Sequence, residues 1–263
     1  MPASVYRALT IAGSDSSGGA GIQADLKTFA ALGVHGTSVV TCITAQNPKR
    51  VLGIEACSRA MVRKQLEAVF AEMRPAAAKT GMLYLAEIIE VVAEYFRRLR
   101  GVPLVVDPVM VATSGNRLLK PAAVRILRGR LLPLAALVTP NLAETAVLTG
   151  KMPKDIEDMR GAAREIYESF GCAVLVKGGH LPRTKEAADI FFDGRNELLL
   201  TAPFVAGIRT HGTGCTYSAA ITAQLALGLN LPAAVTIAKG YITQAIAQRR
   251  EVAGHSVLNP FWR

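Results

Sequence analysis

The sequence predicts an α/β protein built on a doubly wound, mainly parallel sheet with helices on both faces. Two observations carry this. Apolar, β-branched runs alternate with helical patterns through most of the chain. The runs end in glycine, proline or polar residues, which is where open α/β sheets place their ligands. No internal repeat, low-complexity stretch or linker interrupts the 263 residues, so they read as one domain, residues 1–263.

Val5 to Ala12 reads as a first strand, running into a glycine-rich turn at Gly13–Gly21. A helix with Ile22, Leu26, Phe29 and Ala30 on one face follows and ends at Gly33. The turn fits neither G-x-G-x-x-G nor the P-loop's Gly-Lys-Ser/Thr ending. It therefore suits close backbone approach to a small substrate. Asp25, one turn into the helix, is either a substrate contact or an acid favoured by the helix start. Gly36 to Ala45 reads as a second strand, closed by Gln46-Asn47-Pro48. Gln46 carries a donor and an acceptor suited to the edge of a heterocycle, or is simply a turn residue before proline.

Ser58 caps a helix with Val62, Leu66, Val69, Phe70 and Met73 on its apolar face, stopped by Pro75. A short strand, Ala76 to Lys79, leads to Thr80-Gly81-Met82. The next helix carries Ile88, Ile89, Val92, Tyr95, Phe96 and Leu99, and Pro103 to Val106 is a strand ending in Asp107-Pro108. A carboxylate there is placed for a metal or a water, though an Asp-Pro turn also accounts for it. Leu137 to Pro140 is another strand, and Asn141 with Glu144 spells a capping box. Glu144 also sets a second carboxylate at a strand exit, and two such groups could hold Mg²⁺ through waters and phosphate oxygens. A helix over 155–170 precedes the strand Cys172 to Val176 and then Lys177-Gly178-Gly179, a plausible phosphate contact. Ala187–Phe192 and Glu197–Leu200 flank an Asp-Gly turn as a hairpin. Two helices close the chain, one ending near Gly228 and one from Pro232 to about Arg249; the tail from Gly254 has no assigned place.

Composition narrows the function. Hydrophobic residues are 51% and charged residues 19%, enough for a core and against disorder. No apolar run approaches the ~18 residues of a membrane span, and the N-terminus lacks a signal-peptide layout, so a cytoplasmic protein is expected. Four cysteines without a C-x-x-C pair exclude the usual metal spacing and a disulfide framework; Cys42 and Cys172 lie in apolar runs as packing. The net charge of +10 is scattered, without a basic stripe interleaved with aromatics, so attraction of anionic substrates uses it as well as nucleic acid would.

The organising stretch is 209–221, RTHGTGCTYSAAI. Gly212 and Gly214 bracket Thr213 just before a helical pattern. Glycines there let backbone N–H groups converge on an anion, and the helix start adds roughly half a positive charge. A thiol in that field favours thiolate, which makes Cys215 a candidate base or nucleophile.

Seven stretches together resemble the ribokinase-like kinases, most closely the hydroxymethylpyrimidine/phosphomethylpyrimidine kinases of thiamine biosynthesis. They are 12–25 (AGSDSSGGAGIQAD), 44–47 (TAQN), 78–82 (AKTGM), 106–111 (VDPVMV), 139–144 (TPNLAE), 176–180 (VKGGH) and 210–216 (THGTGCT). The resemblance implies a three-layer α/β/α ribokinase-like fold and a homodimer. It implies a pyrimidine pocket lined by Gly13, Ala20, Asp25, Gln46, Met82 and Val109. Asp107 and Glu144 would organise Mg²⁺ on ATP. Lys177, Thr213, Gly214, Asn141 and Arg209 would serve the nucleotide, with Gly212, Thr213 and Gly214 as the anion hole and Cys215 as base. Two departures are Ile208-Arg209, where the family has a Lys-Asn pair, and Asn116 in place of an acidic residue.

The implied reaction is two transfers from ATP: the hydroxymethyl group of 4-amino-5-hydroxymethyl-2-methylpyrimidine is phosphorylated, then the ester becomes a pyrophosphate. The nearest alternative is a pyridoxal kinase with the same machinery. A rival of another class is a non-catalytic pyrimidine-binding or nucleic-acid-associated module.

Overall fold

The computed structural model describes residues 5–111, 118–179, 181, 186–205 and 211–262. Eight strands form the main sheet: β1 (Arg7–Ala12), β2 (His35–Val40), β5 (Ala77–Thr80), β6 (Leu104–Val106), β7 (Leu137–Val138), β8 (Ala173–Lys177), β9 (Glu186–Phe192) and β10 (Glu197–Pro203). Their order is β10-β9-β8-β7-β6-β5-β1-β2. The pairings from β2 across to β8 are parallel; β9 runs antiparallel to both of its neighbours. Parallel strands put their carboxyl ends on one edge, and that edge carries the candidate site.

Strand alternation separates two apolar layers. Leu104 and Val106 pack with α2 (Arg59–Glu72), α3 (Ala86–Arg98), α4 (Pro121–Ile126), α5 (Leu142–Thr149) and α6 (Ile156–Phe170). Val105, between them in sequence, points the other way, to α7 (Thr213–Ala226) and α8 (Leu231–Ala247). Ala8 and Ala77 join Phe29 of α1 (Gly21–Ala31) and Ala219, Ala223 and Ala226 of α7 on that second face. Helices therefore cover both faces, as the sequence pattern predicts. The alanine side of α7 lets it lie close against the sheet, which sets its N-terminus at the strand exits.

The second predicted strand divides. It leaves the main sheet after Val40, and Cys42–Asn47 (β3) pairs antiparallel with Arg50–Ala56 (β4), an element the sequence reading lacked. Thr41 marks the break: its N–H donates to Ala12 O and its carbonyl accepts from Cys57 N. β4 escaped notice because most of it is exposed and it contains Gly53, so it shows no apolar alternation. Gln46 thus stands on a separate hairpin and not at the end of a core strand. The tail also gains a place: β11 (Arg250–Val252) and β12 (His255–Val257) form a hairpin, and Tyr241 donates to Pro260 O at 2.7 Å beside Trp262.

Candidate active site

The exits of β1, β5, β6, β7 and β8 meet the start of α7. On the β1 side, Gly13 N–H donates to Met82 O at 3.1 Å, and a side chain on Gly13 would run into Cys42 Sγ and Met82 Cε. Gly21 adopts φ +57 with the Gly13 carbonyl where its Cβ would be, so only glycine lets α1 start this close to the strand exit. The intervening loop is wound around Asp15. Its Oδ1 accepts from Ser17 N (2.9 Å) and Ser17 Oγ (2.7 Å), and its Oδ2 accepts from Ala20 N (2.8 Å). Burial would raise the Asp15 pKa, but the His211 and Ser17 hydrogen bonds outweigh it and hold the carboxyl well below its usual range.

The β3–β4 hairpin is stitched onto this loop. Thr44 Oγ1 donates to Ser14 O at 2.8 Å, and Ser16 Oγ bonds both the N–H and the carbonyl of Gln46 at 2.7 Å. Cys42, Thr44 and Gln46 alternate on the inward face of β3. The predicted pocket residues Gly13, Ala20, Gln46 and Met82 thereby fall on connected segments. Val109 stands at the neighbouring β6 exit with φ +41, a strained conformation for a β-branched residue. Next to it Met110 N–H donates to Glu144 Oε1 at 3.0 Å.

Asp25 does not offer a carboxylate to a ligand here. It is fully buried beneath the loop, where Oδ1 pairs with Lys79 Nζ at 2.9 Å and Oδ2 accepts from Thr10 Oγ1 at 2.6 Å. Both Thr10 and Lys79 lie on the strand face covered by α1, so a lone lysine in an apolar strand meets a lone aspartate from the helix. Burial raises the Asp25 pKa, with Lys79 and Thr10 opposing. Burial works against the Lys79 charge, yet Asp25, Cys215 and Asp107 raise its pKa overall.

On the other side Asp107, just past β6, is 4% exposed. Lys177 Nζ donates to its Oδ1 at 3.0 Å, Thr139 Oγ1 lies 3.4 Å from the same oxygen, and Ser218 Oγ lies 3.3 Å from Oδ2. A Cβ on Gly214 would sit 3.3 Å from Lys177 Nζ and 3.6 Å from Asp107 Oδ2, so the α7 start touches this ion pair. Gly212, the N-cap of α7, has φ +87, which glycine adopts without strain. Asn141 and Glu144 form the predicted capping box: Glu144 Oε2 accepts from Asn141 N, and Asn141 Oδ1 accepts from Glu144 N, both at 2.9 Å. Burial raises the Glu144 pKa to about 7; Lys177 lowers it and Asp107 raises it.

These two carboxylates bear on the expected Mg²⁺. Among the described residues no group of three or more His, Cys, Asp and Glu gathers. A divalent ion would rest on Asp107 and Glu144 plus phosphate oxygens and waters, which is the donor set Mg²⁺ takes in phosphoryl-transfer sites. Each Glu144 oxygen already accepting an N–H retains a second lone pair. The residues fit the ion.

Cys215, in the first turn of α7 and partly exposed, departs from expectation in one respect. Burial raises its thiol to about 11; Lys79 lowers it, Asp25 and Asp107 raise it, and a backbone hydrogen bond from Gly21 lowers it. The thiolate that the helix start was expected to favour is not the resting form, because desolvation and two carboxylates outweigh one lysine and the local N–H groups. Cys42 and Cys172 are buried thiols raised to about 11 and about 12, chiefly by burial. Arg209, Ile208 and Asn116 lie outside the described residues.

Sequence reasoning missed Asp15, Lys79, His211 and Ser218 as parts of this site. Lys79 carried a signal, a single charge in a four-residue strand. Asp15 resembled an ordinary turn aspartate, and its link to His211 spans 196 positions.

The phosphomethylpyrimidine kinase profile matches residues 15–259. The chain belongs to the phosphomethylpyrimidine kinase family. A hydroxymethylpyrimidine/phosphomethylpyrimidine kinase of Rhizobium meliloti (strain 1021) is 51% identical over 260 residues, covering 97% of each chain. Among solved structures, a Bacillus subtilis pyridoxal kinase in an ADP complex superposes with TM-score 0.89 at 39% identity, covering 97% of each chain. A Staphylococcus aureus pyridoxal kinase in complex with AMP-PCP and pyridoxal superposes with TM-score 0.89 at 35% identity, covering 98% of this chain and 94% of that one. The chain is a kinase of the ribokinase-like fold.

Proposed function

We propose that this kinase transfers phosphate from ATP to the hydroxymethyl group of 4-amino-5-hydroxymethyl-2-methylpyrimidine, then phosphorylates the monophosphate to the pyrophosphate, in thiamine biosynthesis. The observation that carries the reading is the Asp107–Lys177 pair set against Gly214 at the same strand edge as Gly13 and Met82, with Cys215 next to Gly214 in the first turn of α7. The family and the 51%-identical relative support the substrate.

In this reading the heterocycle lies between Gly13, Ala20, Met82, Val109 and Gln46, with Asp25 acting from below through Lys79 and not by contact. Lys177 and the N–H groups of Gly212, Thr213 and Gly214 receive the ATP phosphates, helped by Asn141 and Arg209. Asp107 and Glu144 would hold Mg²⁺, which when bound neutralises phosphate charge. Charge stabilisation and placement do most of the work in such transfers. The alcohol must lose a proton in the first transfer, and Cys215 is the acceptor we assign. In the second the attacking phosphate already carries ~1.5–2 negative charges and needs little help.

A second reading, turnover of a pyridine alcohol, is favoured by the two pyridoxal kinases among the structural neighbours. The enzyme is taken as a cytoplasmic homodimer with no nucleic-acid or membrane partner; among the described residues no helix is long and apolar enough to cross a membrane. Mass spectrometry after incubation with Mg·ATP and each alcohol tests these readings together. The expected products are the pyrimidine monophosphate and pyrophosphate; phosphorylation of the pyridine alcohol alone replaces the first reading by the second, and no phosphorylated product of either refutes both.

A further inference from the structure

Three segments that share no chain continuity meet at the His211 ring. Its Nε2 lies 2.9 Å from Asp15 Oδ2 in the glycine-rich loop and 2.9 Å from the Gln46 side-chain amide on the β3–β4 hairpin, whose nitrogen is the end placed toward the ring. Its own place is one residue before the N-cap of α7. A Cβ on Gly19 would come 3.1 Å from His211 Cδ2, so the loop backs the ring closely.

Hydrogen-bond balance then assigns the polarity of the whole set. Asp15 is 2% exposed and its carboxyl is ionised, so it can only accept. Nε2 must carry the hydrogen that reaches it, whether the ring is neutral or cationic. A nitrogen that donates has no lone pair for the Gln46 NH₂. The Gln46 end facing Nε2 must therefore be Oε1, since the two ends of an amide exchange by a half-turn about its last bond. The NH₂ is left as the end the ring does not hold. Gln46 sits on the inward face of β3 with Cys42 and Thr44, which pack on Gly13 and Ser14, and Gly13 belongs to the pyrimidine pocket of the proposed function.

We propose that Asp15, acting through the Nε2–H of His211, locks the Gln46 amide so that its NH₂ faces the pocket, making this edge of the site select a ring nitrogen or oxygen acceptor and reject an amino group. This rests on the pyrimidine-pocket reading for its substrate class, and not for the hydrogen-bond polarity. His211 is a positioning residue: it acts on the substrate through Gln46.

Two measurements test it. The first needs no substrate: ¹⁵N NMR of the ligand-free protein should show His211 protonated at Nε2. A ring protonated only at Nδ1 would overturn the polarity argument whatever the enzyme phosphorylates. The second is a double-mutant cycle on the alcohol that wild-type protein turns over. His211→Phe should raise the KM for the alcohol about tenfold, lower kcat less than about threefold and leave the KM for ATP within about twofold. His211→Gln, whose amide nitrogen reaches the place of Nε2, should recover most of the loss. In a Gln46→Ala background His211→Phe should add nothing further. An undiminished effect in that background, or a loss falling mainly on kcat and the KM for ATP, would place His211 with the phosphate loop and sink the proposal. Wild-type protein that turns over neither alcohol would refute the function above while the NMR result still judges this inference.

Discussion

Lys79→Met isolates the buried pair beneath the site. Lys79 and Asp25 are both fully buried, 2.9 Å apart, and the second Asp25 oxygen is held by Thr10 at 2.6 Å. Removing the cation leaves a carboxylate that water cannot reach, and breaking one side of such a pair costs about 3–5 kcal/mol. At ~2–4 °C per kcal/mol for a chain near this size, the melting temperature should fall by roughly 6–20 °C. Methionine fills the volume, so cavity formation contributes little. The double variant Lys79→Met/Asp25→Asn removes both charges and keeps an acceptor for Thr10. Its stability should recover most of the loss, giving a coupling of about 2 kcal/mol or more in urea unfolding followed by circular dichroism. The loss should also depend on pH. Burial already raises the Asp25 pKa against the opposition of Lys79, and without Lys79 the folded carboxyl is raised further. The Lys79→Met deficit should therefore be largest where the variant's buried carboxyl is ionised and shrink as falling pH protonates it. Additive single-variant losses, or a deficit that grows in acid, would refute the claim that these charges depend on each other.

Four further outcomes follow from the site. With its thiol raised to about 11, Cys215 is ionised to only about one part in a thousand at pH 8, so the alcohol step should speed up by about tenfold per pH unit between about pH 7 and 9 while the monophosphate step stays flat. Cys215→Ala should slow the first step far more than the second; parallel profiles or equal losses in both assays would remove it as proton acceptor. Gly214→Ala places a methyl 3.3 Å from Lys177 Nζ and 3.6 Å from Asp107 Oδ2; the KM for ATP should rise about tenfold with less than about 1 kcal/mol lost in unfolding, and an unchanged KM would take that backbone away from the phosphates. Asp107→Asn should raise the Mg²⁺ concentration for half-maximal rate, and an unchanged titration would deny it the metal role.

Most of the sheet was legible because parallel strands buried on both faces read as continuous apolar runs, as Leu104–Val106 and Ala173–Lys177 do. The hairpin β3–β4 was not. Its residues alternate around a boundary at Thr41 where the chain leaves one sheet for another, and nothing in β-branched content marks that departure. The site divides in the same way. Asp107 follows β6 directly, Lys177 closes β8 and Glu144 stands in the first turn of the helix after β7, so a local rule about where α/β sheets place ligands finds them.

Asp25 obeys a different logic, because its partner is remote in sequence. A carboxylate near a helix start has two local explanations, ligand contact and helix-end electrostatics, and both ignore the strand face beneath the helix. Lys79 supplies what they leave out: Thr10 on β1 and Lys79 on β5 are paired in register on the face that α1 covers, and α1 lays Asp25 between them. The thiol of Cys215 was misjudged for a related reason. The helix start acts within one turn and is visible locally, whereas the two carboxylates and the loss of water that raise the thiol come from α1, β6 and the packed loop above. Ionisation in this site is set by contacts between distant segments, so the residues could be found in the sequence but their protonation could not.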